Sequence, residues 1–168
     1  GSEIWSIELP LQGLAQIAAG DIDLDGKPEI LAVGFGVIYA VDNDGEVKWT
    51  SAPIDNGFGW GGPSIADLEQ AGRPEIIIGH HVLNSDGSLR WKAVGGTGGP
   101  LWGPLSYAAD LDLDGIPEVI AGNTAYRNNG ESFWNAPVSD GFTAIGQFDE
   151  DPLPELAHVG GNTLSLLD

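Results

Sequence analysis

Asp21, Asp23, Asp25 and Glu29 crowd four carboxylates into nine positions of the stretch GDIDLDGKPE. Two such charges about 5 Å apart repel by roughly 3 kcal/mol at an effective dielectric near 20. A counter-charge makes the spacing sustainable, and calcium, which takes many oxygen ligands in a flexible shell, suits it. Alternating aspartates can turn their side-chain oxygens around one point. Gly26 permits the sharp turn after the third of them. The carbonyl of Lys27 and the carboxylate of Glu29 would close the shell. An EF-hand is excluded, because the twelfth position of its loop must be glutamate and is Ala32 here.

The stretch recurs. DIDLDGKPE (21–29) is matched by DLEQAGRPE (67–75), DLDLDGIPE (110–118) and QFDEDPLPE (147–155), each ending in Pro-Glu. Fifteen of the 25 acids lie in these windows, so the net charge of −19 belongs mainly to the repeated loop. The third copy keeps the full pattern: Asp110, Asp112, Asp114, Ile116 through its carbonyl, and Glu118, with Gly115 at the turn. Recurrence argues against catalytic carboxylates, since a glycosidase pair is needed once per site and not once per repeat. The second copy keeps Asp67, Glu69 and Glu75, but Ala71 replaces the third aspartate and Arg73 could pair with the remaining acids. The fourth offers Gln147, Asp149, Asp151, Leu153 through its carbonyl, and Glu155, with Pro152 in place of glycine. For these two copies the residues leave calcium binding open.

Each loop sits in the same surroundings. A small-residue run precedes it (AQIAAG, PSIAD, LSYAAD, TAIGQF), and a β-branched run follows Pro-Glu (EILAVG, EIIIG, EVIAG, ELAHVG). A third short strand comes next, its end marked in three repeats by Asn-Asp-Gly, Ser-Asp-Gly or Asn-Asn-Gly, which read as two-residue hairpin turns. A fourth strand carries a tryptophan: EVKWTS, SLRWKA, ESFWNA. Four short antiparallel strands per 40-odd residues predict an all-β fold, a β-propeller of four four-stranded blades. The last repeat lacks its tryptophan strand, and SEIWSIE places Trp5 where the others have Trp49, Trp91 and Trp134. The N-terminal strand is therefore expected to complete the fourth blade, making 1–168 one closed domain. The rival is a larger ring, eight-bladed as a homodimer or built by a longer parent chain.

Loop, period and tryptophan strand together resemble the FG-GAP or VCBS-type repeats of β-propellers, as in integrin α-subunit heads and many secreted bacterial proteins. The resemblance covers nearly the whole chain. It implies that the loop joins the first two strands of a blade and binds calcium, through Asp21, Asp23, Asp25, Lys27 and Glu29, and through Asp110, Asp112, Asp114, Ile116 and Glu118. It also implies a secreted or cell-surface location and a non-catalytic module that binds protein or carbohydrate. Some polysaccharide lyases resemble this pattern too, which keeps an enzyme as the alternative.

The remaining candidates are aromatic and histidine residues. The tryptophans of the fourth strands read as packing between neighbouring blades. Phe58, Trp60, Trp102 and Phe142 precede or open the first strands, where one ring face should lie, and could stack sugars or anchor a protein. Adjacent His80 and His81 would point to opposite faces of a strand, which disfavours a shared metal ion. With no cysteine there is no disulfide and no thiolate site. The negative field repels nucleic acid and anionic membranes, and no apolar run is long enough to span a bilayer. Gly1-Ser2 reads as a cloning remnant, no signal peptide precedes it, and the chain is expected to be a fragment of something longer.

Overall fold

A computed structural model describes residues 1–11, 16–54, 61–99 and 103–168. Its strands form four antiparallel sheets, each a meander in chain order. The first sheet holds β1 (Ile17–Gly20), β2 (Glu29–Gly34), β3 (Val37–Val41) and β4 (Val47–Thr50). The second holds β5 (Ser64–Ala66), β6 (Glu75–Ile78), β7 (His81–Leu83) and β8 (Leu89–Lys92). The third holds β9 (Ser106–Ala109), β10 (Glu118–Ala121), β11 (Thr124–Tyr126) and β12 (Ser132–Asn135). The fourth has three strands, β13 (Gly141–Gly146), β14 (Glu155–Gly160) and β15 (Thr163–Leu167). The arrangement is consistent with a propeller-like fold.

Packing runs serially from sheet to sheet. Leu31, Val33, Ile38 and Ala40 of the first sheet are buried against Ile76, Ile78 and Leu83 of the second. Ile77 and Val82 on the opposite face of the second meet Val119, Ala121 and Tyr126 of the third. Ile120 and Ala125 of the third meet Leu156 and Leu167 of the fourth. Middle strands are thus covered on both faces, which is why β6 and β10, after their opening glutamates, read as apolar runs with no polar alternation. The outer strands β4, β8 and β12 are partly exposed and carry the charged and polar residues between apolar ones.

Tryptophan joins one sheet to the next. Trp49 of β4 lies on Gly87 in the β7–β8 turn, and its indole N–H donates to the Ser85 carbonyl (3.0 Å). Trp91 of β8 lies on Gly130 in the β11–β12 turn and donates to the Asn128 carbonyl (2.8 Å). The turns themselves differ from the two-residue hairpins expected. Gly45 N–H donates to Asp42 O (2.9 Å) while Asp42 N–H donates to Glu46 O (2.8 Å), with left-handed Gly45 at φ 91° and a register shift in the β3–β4 pairing. This is a type I turn followed by a glycine bulge. At the equivalent position of the next sheet, glycine is needed twice: Gly87 has φ 81°, and a Cβ on it would lie 2.5 Å from the Trp49 ring.

Among the described residues the fourth sheet holds three strands, one fewer than the expected blade. Residues 1–11 form no strand, and β15 pairs only with β14 among the described residues. Trp5 instead lies on Gly45 of the first sheet, its indole N–H donating to Asn43 O (3.0 Å), and Pro10 and Leu11 pack against Gly34. The segment is therefore anchored on the first sheet.

Candidate metal centres

Each acidic loop links the first strand of its sheet to the second, so the closing glutamate opens a buried strand. Glu29, Glu75, Glu118 and Glu155 are all buried. Each directs Oε2 at the backbone N–H seven residues earlier: Ile22 (3.0 Å), Leu68 (2.9 Å), Leu111 (2.9 Å) and Phe148 (2.5 Å). That contact ties the end of the loop to its start and satisfies one carboxylate oxygen in a place where water cannot.

In the first loop the N–H groups of Asp25 and Gly26 donate to the two oxygens of Asp21 (3.1 and 3.0 Å), and Lys27 N–H donates to Asp25 (2.8 Å). The third loop repeats this with Asp114 and Gly115 on Asp110 (3.1 and 2.9 Å) and Ile116 on Asp114 (2.8 Å). Both turns need left-handed backbone at a leucine as well as the glycine: Leu24 at φ 67° and Leu113 at φ 58°. Gln70 at φ 53° holds the same place in the second loop. A left-handed L-residue costs about 1–2 kcal/mol, so the donors around the first aspartate compensate strain in all three loops. Pro152 cannot adopt the glycine conformation. The fourth loop is laced instead by Gln147, whose amide nitrogen donates to the Asp151 and Leu153 carbonyls and whose Oε1 accepts from Asp149 N–H.

Carboxylate oxygens converge to within 4.8 Å of one another in three loops: Asp21, Asp23 and Asp25; Asp110, Asp112 and Glu118; Asp149, Asp151 and Glu155. Glu29 and Asp114 stand outside their groups, and among the described residues the second loop forms no such group. Phe58, Trp60 and Trp102 lie outside the described residues, and Phe142 is exposed on β13. His80 sits in the turn before β7 rather than beside His81 in one strand, and their rings lie 4.8 Å apart, which corrects the opposite-face expectation.

Three basic residues that the sequence leaves looking scattered reach into these loops. Lys48 of β4 pairs with Asp23, Glu29 (3.4 Å) and Asp42 (3.4 Å). Arg90 of β8 pairs with Glu69 and Glu75 (3.4 Å), whereas Arg73, the expected partner there, turns to Ser85 Oγ (3.4 Å). Arg127 pairs with Asp112 and Glu118 (2.9 Å each) and stacks over the Phe133 ring at 3.9 Å. Hydrogen bonding to Lys48 holds the Asp23 carboxyl below its ordinary value, and Arg127 does the same for Asp112. Burial pushes Glu75 and Glu118 up. Two of the three cations immediately precede the strand tryptophan, in KW and RW, a signal the repeat alignment could have exposed.

The fourth loop differs. Oε1 of Glu155, the counterpart of the oxygens held by Lys48, Arg90 and Arg127, is buried and has no hydrogen-bond partner among the described residues. Asp149, Asp151 and Glu155 present hard oxygen donors around that atom, a donor set that fits calcium or a similar divalent cation. The first three loops supply a cation of their own, so an added ion there competes with an ammonium or guanidinium group. The fourth supplies none from the described residues.

Solved structures that resemble this arrangement include the two that follow. The biofilm matrix protein Bap1 of V. cholerae superposes with a TM-score of 0.70 at 30% identity, over 84% of this chain and 23% of that one. The exotype rhamnogalacturonan lyase YesX superposes with a TM-score of 0.59 at 20% identity, over 92% of this chain and 30% of that one, a likeness of fold alone. This chain therefore spans less than a third of either neighbour. No family model and no curated protein matches the sequence.

Proposed function

We propose that residues 1–168 form a non-catalytic β-propeller-type module of the FG-GAP or VCBS kind, stabilised by calcium, that binds carbohydrate or protein outside the cell. The observation that carries the calcium reading is the buried Oε1 of Glu155 beside Asp149 and Asp151, which has no hydrogen-bond partner among the described residues. Glu29, Glu118 and the aspartates of the first and third loops supply further donor sets, with Lys48 and Arg127 as internal competitors. Calcium, when bound, contributes a double positive charge and oxygen coordination. The chain's own residues close the loop over it and fix the connection between the first two strands of a blade. The matrix-protein neighbour supports binding within an extracellular matrix. The ion stabilises by mass action, about 2.7 kcal/mol at a hundredfold excess over its Kd, because it binds only the folded loop. Thermal melting in millimolar calcium against excess chelator tests the ion, with equal midpoints refuting it. A glycan array read beside a β-elimination assay on pectic polymers tests the module. Retention of a glycan without cleavage is expected, and cleavage would make the lyase reading correct.

A further inference from the structure

The first and second loops receive a cation in the same way. Lys48 Nζ reaches Asp23, Glu29 Oε1 (3.4 Å) and Asp42 Oδ2 (3.4 Å). Arg90 reaches Glu69, Glu75 Oε1 (3.4 Å) and Asn84 Oδ1 (3.4 Å). The partners are equivalent in the repeat: the third residue of the loop, its closing glutamate, and the residue that opens the β3–β4 or β7–β8 turn. Each cation also immediately precedes the tryptophan of its strand. Trp91 is held on the next sheet by its bond to Asn128 O (2.8 Å), so the arginine beside it leaves from an anchored strand.

What the two cations meet is different. The first loop keeps a convergent group of aspartates, Asp21, Asp23 and Asp25, of which Lys48 holds one. In the second loop Ala71 removes the third acid, and the N–H groups of Ala71 and Gly72 donate to the two oxygens of Asp67 (3.0 and 2.6 Å). Glu69, a methylene longer than the aspartate it replaces, is held by the guanidinium. Glu75 is buried, with one oxygen accepting from Leu68 N–H (2.9 Å) and the other facing Arg90. Calcium takes about six to eight oxygens. A guanidinium instead presents a planar fork of N–H donors and keeps its charge throughout the ordinary pH range. Glu69, Glu75 and Asn84 around one fork suit the guanidinium.

We infer that Arg90 closes the second loop in the place an ion would take, so that the second sheet holds its acidic loop without metal. The inference rests on the calcium reading only in naming what the arginine replaces. Lys48 makes the equivalent contacts with the opposite consequence, because the first loop still carries the donors to exchange an ammonium group for an ion. Arg90 has no such rival, since Ala71 leaves the loop short of oxygens.

Thermal melting of Arg90→Gln beside the unsubstituted chain, each in millimolar calcium and in excess chelator, tests this. Loss of the guanidinium leaves a buried Glu75 oxygen unsatisfied, so the midpoint should fall by about 2–12 °C in chelator. Calcium should recover none of that fall. Recovery in calcium would mean that the loop takes an ion once the guanidinium is gone, and an unchanged midpoint in chelator would mean that the arginine does not close it. Either result overturns the inference. An unsubstituted chain that melts alike in both solutions refutes the calcium reading, and the fall of Arg90→Gln still decides the role of the arginine. Glu69→Gln covers the case in which Arg90→Gln does not fold, since Glu69 is 44% exposed. Its midpoint should fall by about 0.5–4 °C, equally in calcium and in chelator. A larger fall in calcium would make Glu69 an ion ligand, and no fall in either would remove the pair; both overturn the inference.

Discussion

Replacing Glu155 by glutamine separates the metal reading from a purely structural one through a change of sign. In chelator, the wild-type carboxylate keeps one buried oxygen without a partner among the described residues, while the other accepts from Phe148 N–H. An unsatisfied buried acceptor costs about 1–3 kcal/mol, more when charged. Glutamine keeps the acceptor toward Phe148 and turns an N–H donor toward the oxygens of Asp149 and Asp151. The substitution should therefore stabilise the chelated protein by about 1–3 kcal/mol. At roughly 2–4 °C per kcal/mol for a domain of this size, the midpoint rises by about 2–12 °C. In calcium the order reverses, because the variant loses a carboxylate ligand and with it most of the ion's contribution. Glu29→Gln gives the contrast: its Oε1 faces Lys48, so removing the charge lowers the midpoint in chelator as well. Differential scanning calorimetry of the three proteins, each in calcium and in chelator, supplies the six midpoints. A Glu155→Gln midpoint below wild type in chelator, or an undiminished calcium shift in the variant, would refute the reasoning.

Other perturbations follow from the same geometry. Gly87→Ala forces a left-handed alanine at φ 81° and a Cβ into the Trp49 ring, so urea unfolding should show a loss of about 2–5 kcal/mol. Gly45→Ala, with 3.0 Å to Trp5, should lose less. Lys48→Met removes the internal competitor from the first loop, and calorimetric titration should find tighter calcium binding there and a lower midpoint in chelator. Burial pushes the Tyr126 hydroxyl up to about 12, where it donates to Gly96 O (2.9 Å). The folded state then keeps a proton that the unfolded chain releases near pH 10, so stability falls as pH rises from 10 toward 12, by roughly 1.4 kcal/mol per unit. Tyr126→Phe should flatten that limb of the denaturation profile.

Much of this was legible in advance because the repeats constrain one another. Pro-Glu at Glu29, Glu75, Glu118 and Glu155 located the loop and the start of each second strand. The cations were not legible, because Lys48 and Arg90 lie two strands along the chain from the acids they meet, and Arg127 comes from a third strand's end. Proximity along the chain favoured Arg73 for the second loop, while the antiparallel meander brought Arg90 there instead. The turns differ from two-residue hairpins for a related reason. Asn-Asp-Gly specifies a tight reversal, but Gly45, Gly87 and Gly130 also have to leave room for an indole from another sheet or segment.

Residue types and period by themselves determined an all-β chain of four related units with an acidic loop in each, since alternation, turn chemistry and recurrence are local properties. Three-dimensional packing decided which loops are already neutralised and, among the described residues, which buried carboxylate oxygen lacks a partner. Those are questions of what stands opposite a residue in space, and antiparallel strands answer them with side chains drawn from distant parts of the chain.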